Sequence, residues 1–410
     1  MTGPAPPTAT RVAPRGTSPA EFSPPRLLEP WPTGSFEELA GWCRELVEDT
    51  TFPTVRRWRE AGGKVLGHFQ VYFPEEIAAA AGLLPFKVRG APLEPRRADS
   101  RLGSYLCSIL KTSLELELSG LVGFDLFVAQ PICDAARNLV AIWGRNAAYP
   151  CHLLCLPQNP NSAHAAAFLR EEYGRLLQAV EEVAGRRVGA ADLRASIAVF
   201  NENRRLLREL YAVKRERPWL LGVDEAWALV AIGGLVPRGE HNELLRSALA
   251  LLERRPARRQ DRIRVVLVGG FCEQPPLDLL QIVARSCYVV EDDLLVGLRF
   301  LEEDVDAGDD PLADLATAYL ERSAWSPVQH DLRKPKEEML RRWLERGQAQ
   351  AAIVTAAKMC EPGLEDQVAF IETLEREGIP YFVSEFEENM ASFDHLSIQL
   401  ETFVENLLFE

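Results

Sequence analysis

The stretch FDLFVAQPICDAARNLVAIW, Phe124–Trp143, decides the fold class. Leu126, Phe127 and Val128 are an apolar run of strand-favouring residues. Pro131 blocks further pairing, and Cys133 follows at once. Asp134 opens an amphipathic helix with Leu139, Val140 and Trp143 on its apolar side. The thiol of Cys133 is therefore expected at the carboxyl end of a strand and the amino end of a helix. In open α/β sheets that is the crevice where ligands bind. Backbone amides and the helix dipole favour the thiolate there, the form that binds metal. The competing reading of this residue alone is a small buried core cysteine.

The pattern recurs in AAIVTAAKMCEPGLEDQVAFIETLEREGIPYFV, Ala351–Val383. Ala352–Ala356 reads as a strand, Cys360 follows it, and Leu364–Arg376 reads as a helix. A third cysteine, Cys107, opens a helix whose apolar spacing is carried by Leu114, Leu118 and Leu121. Three cysteines at loop–helix junctions could converge across a cleft between two α/β domains. Such a set suits an iron–sulfur cluster better than a zinc ribbon, because the chain has no CxxC pair.

The chain has 410 residues, enough for two or three domains, and ordinary apolar and charged fractions. Its net charge of -14 argues against nucleic-acid and anionic-membrane partners. Eight cysteines at this length fit a reducing compartment, and no apolar run is long enough for a membrane span.

Residues 1–34, rich in Pro, Thr, Ser and Ala, read as a disordered tail. Residues 35–160 read as a first α/β domain carrying Cys107 and Cys133. Ser35 caps its first helix, and Pro74 with Glu75 and Glu76 makes a good first helical turn. Residues 161–260 read as helical, with helices over Ala165–Ala184, Leu193–Tyr211 and Glu240–Arg254. The NENRRLLREL run, Asn201–Leu210, is read as a solvated helical face.

Residues 261–410 form a second α/β domain, opening with a buried strand at Arg262–Val268 and carrying Cys360. Gly269 and Gly270 permit a tight turn but no phosphate loop: neither GxxxxGK[ST] nor GxGxxG occurs. Cys272, in FCEQPPLDLL, is the rival to Cys360 as a ligand. Its neighbours Glu273 and Gln274 either face the same crevice, orienting substrate or supplying protons, or cap a helix. Cys43, Cys151, Cys155 and Cys287 are read as packing residues, with Cys151, Leu153 and Cys155 on one face of a strand. Asp292–Asp293 is read as a solvated turn at a strand end. His68, His152, His241 and His395 lack motif context, so no proton donor is identified.

The sequence also resembles the benzoyl-CoA reductase / 2-hydroxyacyl-CoA dehydratase family, and within it the C-subunit branch of the ATP-dependent reductases. The resemblance rests on VYFPEEIAAAAGLLP (Val71–Pro85), YLCS (Tyr105–Ser108), PICDAARNL (Pro131–Leu139), LPQN (Leu156–Asn159), LRASIAVFNENR (Leu193–Arg204), FCEQPPLDLL (Phe271–Leu280) and the KMC ending at Cys360. It covers roughly residues 36 to 400, in order; FCEQPP and NENR are its most specific parts.

The resemblance implies two Rossmann-like or flavodoxin-like parallel-sheet domains flanking a helical segment, with a cluster in the interdomain cleft. Its pattern assigns Cys107, Cys133 and Cys360 to a 4Fe–4S cluster with one iron lacking a cysteine ligand, and leaves Cys272 lining the site. It further implies a cytoplasmic enzyme of anaerobic aromatic degradation, built as a heterotetramer. A cluster-bearing sister subunit and two ATPase subunits with their own cluster would carry electrons from reduced ferredoxin, with ATP bound on those partners only. The expected activity is reduction of the ring of benzoyl-CoA or a substituted analogue to a cyclic dienoyl-CoA. The alternative within the family is radical elimination of water from a 2-hydroxyacyl-CoA. A non-catalytic zinc-binding or assembly protein is the alternative of a different class.

Overall fold

Among the described residues, eight strands are short, mostly apolar runs, and they assemble into two parallel sheets. The computed structural model describes residues 22–28, 30–69, 71–270, 275–325, 329, 331–387, 390 and 392–409. The first sheet contains β1 (Val65–Phe69), β2 (Leu84–Val88), β3 (Leu126–Ala129) and β4 (Cys151–Leu153), in the order β2-β1-β3-β4. The second contains β5 (Arg264–Val268), β6 (Tyr288–Asp292), β7 (Ala351–Ala357) and β8 (Tyr381–Phe386), in the order β6-β5-β7-β8. All pairings between these strands are parallel. Each sheet thus has the flavodoxin-like order, and β1, β2, β3 and β7 are buried along their whole length, as strands covered on both faces must be.

Five helices accompany the first sheet: α1 (Phe36–Glu48), α2 (Pro53–Glu60), α3 (Glu75–Ala80), α4 (Ser108–Leu118) and α5 (Asp134–Asn146). Four follow before the second sheet: α6 (Ala165–Ala184), α7 (Ala190–Glu216), α8 (Val223–Ile232) and α9 (Arg238–Leu252). The remaining five are α10 (Leu277–Ser286), α11 (Pro311–Glu321), α12 (Lys336–Gly347), α13 (Glu361–Glu377) and α14 (Asp394–Phe409). α8 is apolar around almost its whole circumference and almost wholly buried, which makes it a central helix rather than an amphipathic one. Of the proline-rich amino-terminal segment, residues 1–21 lie outside the described residues. Its Leu27 and Leu28 are buried, and their amides donate to the Glu240 carboxylate at the start of α9.

Four local expectations are corrected. α4 stops at Leu118, because Gly120 takes a left-handed conformation (φ 71°) just past the cap at Ser119. Leu121 is consequently outside the helix and exposed, and the buried side of α4 is Ile109, Leu110, Leu114 and Leu116. β4 spans only three residues at the sheet edge; Leu153 is exposed and Cys155 lies beyond the strand. The NENR segment is not a solvated face. Arg204 is ion-paired with Glu76, while Asn203 donates to His241 Nδ1 (2.9 Å) and to Asn242 Oδ1 (2.7 Å), all buried. Nor is Asp292–Asp293 a solvated turn: both are buried, Asp292 being held by Tyr211 (2.9 Å), Lys214 and Arg299 (2.8 Å).

The two sheets are joined by direct packing as well as by helices. The Tyr72 ring, after β1, packs on Phe300 (5.0 Å) and Tyr319 (5.2 Å) from the second half. Gly297 lies against Val71 so closely that a Cβ there would fall 1.6 Å from the Val71 carbonyl oxygen. Glu75 and Glu76, opening α3, are clamped by Arg238 of α9 and Arg204 of α7.

Candidate cluster site

All three cysteines singled out by sequence occupy the same local position. Cys107 is the N-cap of α4, Cys133 of α5 and Cys360 of α13. Cys133 follows β3 after Gln130, Pro131 and Ile132; Cys360 follows β7 after Lys358 and Met359. β3 and β7 occupy equivalent places in their sheets, each beside the strand where the order reverses. The carboxyl ends flanking that reversal form the ligand crevice of an open α/β sheet. Met359 has φ 61°, an uncommon conformation for a side chain of its size, and is exposed on the approach to Cys360.

Cys107 and Cys360 are buried and Cys133 is half-buried. The Cys133 Sγ accepts a hydrogen bond from the Ala136 amide (3.4 Å), at the helix amino end where the sequence places it. Its pKa nonetheless moves up, not down. Burial is the largest cause, hydrogen bonds from the Ala136 and Ala135 amides oppose it, and the charges of Cys360 and Glu361 add to it. Desolvation thus outweighs the helix end, a correction to the expected thiolate preference. The Cys133 and Cys360 thiols, one from each sheet, nevertheless lie close enough to feel each other's charge.

Among the described residues no three His, Cys, Asp or Glu side chains converge tightly enough to hold a single metal ion. That is no obstacle to a cubane cluster, whose thiolate ligands bind separate irons. The donor set fits such a group chemically: thiols on helix amino ends, two of them sensing each other across the two sheets. A bound cation would also oppose the upward push on the Cys133 thiol.

The rival Cys272, with Glu273 and Gln274, lies outside the described residues. Cys43 and Cys287 are buried packing residues, their thiols pushed up to about 12 by burial. Cys151 and Cys155 are half-buried near the first sheet's edge. The core histidines are settled by their partners. His68 Nε2 pairs with Glu75 Oε1 (2.9 Å), and burial pushes its pKa down to about 4; burial takes His241 to about 3. Both are neutral at pH 7 and structural. Burial also lowers His152, and His395 is exposed on α14. A cavity of about 850 Å³, lined by Arg44, Trp219, Arg262, Arg285 and Tyr288 among others, opens at the amino ends of β5 and β6, the opposite end of the sheet from Cys360.

Two acids of the second half are buried against expectation. Asp293, just past β6, accepts hydrogen bonds from the amides of Gly269 (2.7 Å) and Gly270 (3.0 Å) at the end of β5. Burial pushes its carboxyl up to about 7, against those amides. Asp366, on α13, is ion-paired through one oxygen with Lys336, while its Oδ2 is buried without a hydrogen-bond partner among the described residues. Burial pushes it up to about 7 as well, Lys336 opposing and Asp293 and Glu365 adding. The available signal was periodicity: Asp366 lies four residues before Phe370 on the buried stripe of α13.

Residues 70–407 match the family model described as 2-hydroxyglutaryl-CoA dehydratase, D-component. The chain is 31% identical over 385 residues to the C subunit of benzoyl-CoA reductase from Thauera aromatica, covering 91% of this chain and 99% of that one. It is 28% identical to the beta subunit of lactoyl-CoA dehydratase from Anaerotignum propionicum, over 85% of this chain and 93% of the relative. The identity to the beta subunit of (R)-2-hydroxyglutaryl-CoA dehydratase from Acidaminococcus fermentans is 24%, over 86% and 94%.

Proposed function

Because the chain belongs to the 2-hydroxyglutaryl-CoA dehydratase D-component family and is an enzyme subunit of this dehydratase and reductase class, we propose that it is the iron–sulfur subunit of an ATP-dependent aromatic acyl-CoA reductase. The observation that supports the cluster assignment is that Cys107, Cys133 and Cys360 each cap the amino end of a helix. The reductase branch is favoured by the nearly end-to-end likeness to the C subunit of a benzoyl-CoA reductase. Elimination of water from a 2-hydroxyacyl-CoA is the second reading, favoured by the dehydratase beta subunits among the relatives.

In this proposal Cys107, Cys133 and Cys360 hold a 4Fe–4S cluster. The cluster would supply single low-potential electrons, which a hydride donor does not deliver to an aromatic ring. The chain's own work is to fix the thiols and exclude water. The Ala136 amide orients the Cys133 side chain, and burial of Cys107 and Cys360 keeps water from their thiols. The inter-sheet packing of Tyr72, Phe300 and Tyr319 holds the two walls together. Glu273 and Gln274 are the candidates for orienting substrate or passing a proton. Sister and ATPase subunits would complete the enzyme, with ATP bound there and reduced ferredoxin as donor, in the cytoplasm.

The test is anaerobic purification with the subunits encoded alongside, followed by iron and sulfide analysis and EPR of the reduced protein. Iron and sulfide in cubane stoichiometry, lost in Cys107→Ala, Cys133→Ala or Cys360→Ala, are expected. Conversion of benzoyl-CoA to a dienoyl-CoA with ATP consumed in proportion selects the reductase; water loss from a 2-hydroxyacyl-CoA with catalytic electron use selects the dehydratase. Zinc in place of iron rules out both.

A further inference from the structure

α13 buries a stripe formed by Pro362, Gly363, Asp366, Phe370, Thr373 and Leu374. Asp366 is the only ionisable group on it. A carboxylate placed there loses its hydration, and one salt link does not replace it. Lys336, opening α12, answers Oδ1; Oδ2 is buried with no hydrogen-bond donor among the described residues. The stripe leads back along the helix to its cap, Cys360. The acid that adds most repulsion is Asp293, in the loop after β6, whose oxygens are committed to the Gly269 and Gly270 amides. Those amides admit no side chain: Gly269 has φ 105°, and a Cβ there would lie 2.1 Å from the Thr355 carbonyl oxygen.

The other charges around the two carboxyls are fixed. Asp292, beside Asp293, is spent on Lys214, Tyr211 and Arg299. Glu365, next to Asp366, is exposed. Burial keeps the carboxyls of Asp293 and Asp366 near neutrality in their titration, so a proton moves on or off this place at ordinary pH.

We propose that Asp293 and Asp366 are a proton-holding carboxyl pair behind the Cys360 helix, which takes up a proton when an electron enters the cleft. The inference rests on the cluster assignment above. When a one-electron, low-potential iron–sulfur donor reduces the site by one electron, one proton leaves solvent and an O–H bond forms at Asp366 Oδ2. When the electron passes to substrate the proton returns. The net charge of the buried region is then unchanged by electron transfer, and the penalty for adding negative charge beside Asp293 is removed. Asp366 is a positioning residue in this scheme: it touches neither substrate nor the reacting atoms.

The test is an EPR-monitored redox titration of the complex, anaerobic and with its partner subunits, at a series of pH values on both sides of neutrality. The midpoint potential of this chain's cluster should be constant below about pH 7, where Asp366 already holds its proton, and should fall with rising pH above it. The slope should approach a tenfold change in the reduction equilibrium per pH unit, which is 59 mV for one electron. Asp366→Asn, with full iron and sulfide, should flatten the slope, and Asp366→Glu should restore it. A pH-independent wild-type potential, or an unaltered slope in Asp366→Asn, overturns the proposal while leaving the cluster assignment intact. Absence of iron overturns the cluster assignment itself. Should Asp366→Asn fail to fold, infrared difference spectra of the wild-type full chain decide. A protonated-carboxyl C=O band that titrates near neutrality supports the pair, and its absence overturns it.

Discussion

An aspartate on the buried stripe of a helix is tolerated only if its charge is answered or neutralised, and Asp366 is answered on one oxygen. Its effect on stability has a definite sign. The folded carboxyl titrates at about 7 and an unperturbed aspartate at 3.8, so between those limits the folded chain holds the proton that the unfolded chain has released. Asp366 therefore supports the fold fully below the lower limit, and the support is lost as pH rises through 7. Asp366→Asn removes that loss. Its stability relative to wild type should rise by about 2–4 kcal/mol between about pH 4 and pH 8, read as a difference in urea midpoints. A constant difference across that range contradicts the assignment. His68 and His241 act in the opposite sense. Their folded pKa values, about 4 and about 3, lie below the ordinary 6.5, so the stability tied to their neutral forms is present above 6.5 and lost as pH falls toward 4 and 3. His241→Gln should accordingly blunt acid unfolding in that window relative to its own stability at neutral pH. At this scale the three cysteines were legible because a strand, a break and a helix start are all local patterns. Asp366 was not: Glu365-Asp366-Gln367 looks like a solvated turn of helix until the fold shows which side faces inward.

Among elements, the parallel strands were the easiest to read, since burial on both faces leaves continuous apolar runs such as Val265–Val268 and Ala351–Ala357. α8 escaped because a helix apolar all round has no periodicity to detect, and the glycines bounding it, Gly222 and Gly233, are equally compatible with loop. α7 was found, but its polar residues were misjudged, for their partners lie far away in sequence. Glu76 opens α3, and its link to Arg204 is nearly inaccessible to solvent, with side-chain exposures of 2% and 9%. Breaking such a pair from one side strands a charge, whereas removing both charges does not. Arg204→Met should cost about 3–5 kcal/mol, and the double variant Glu76→Gln/Arg204→Met should recover more than half of it in a urea double-mutant cycle. Equal destabilisation in single and double variants would show that Arg204 acts through packing instead. The result also bears on the site, because α3 follows β1, whose neighbour β3 leads to Cys133.

For the whole molecule, sequence patterns sufficed for two α/β halves with helices between them, but not for how closely the halves meet. Local periodicity carries no information on which surfaces touch across more than two hundred residues, and the decisive contact here is made by a glycine. Gly297 lies on the second half, and the Cβ it lacks would sit 1.6 Å from the Val71 carbonyl oxygen and 3.1 Å from Lys87 Nζ on the first. Backbone cannot yield as a flexible side chain does, so any larger residue must move one half against the other. The same seam holds Tyr72 against Phe300 and Tyr319, and Cys133 and Cys360, one from each half, sense each other's charge. Gly297→Ala is therefore a test of whether the shared seam fixes the cysteine geometry. The overpacked contact should cost about 1–3 kcal/mol. If the two halves depend on each other through this seam, the urea transition should broaden, and iron retained after anaerobic purification should fall although no cysteine is altered. Wild-type iron content in a variant that is measurably less stable would separate the two effects. The cysteines would then be positioned by their own sheets and helix caps, and the seam would serve stability alone.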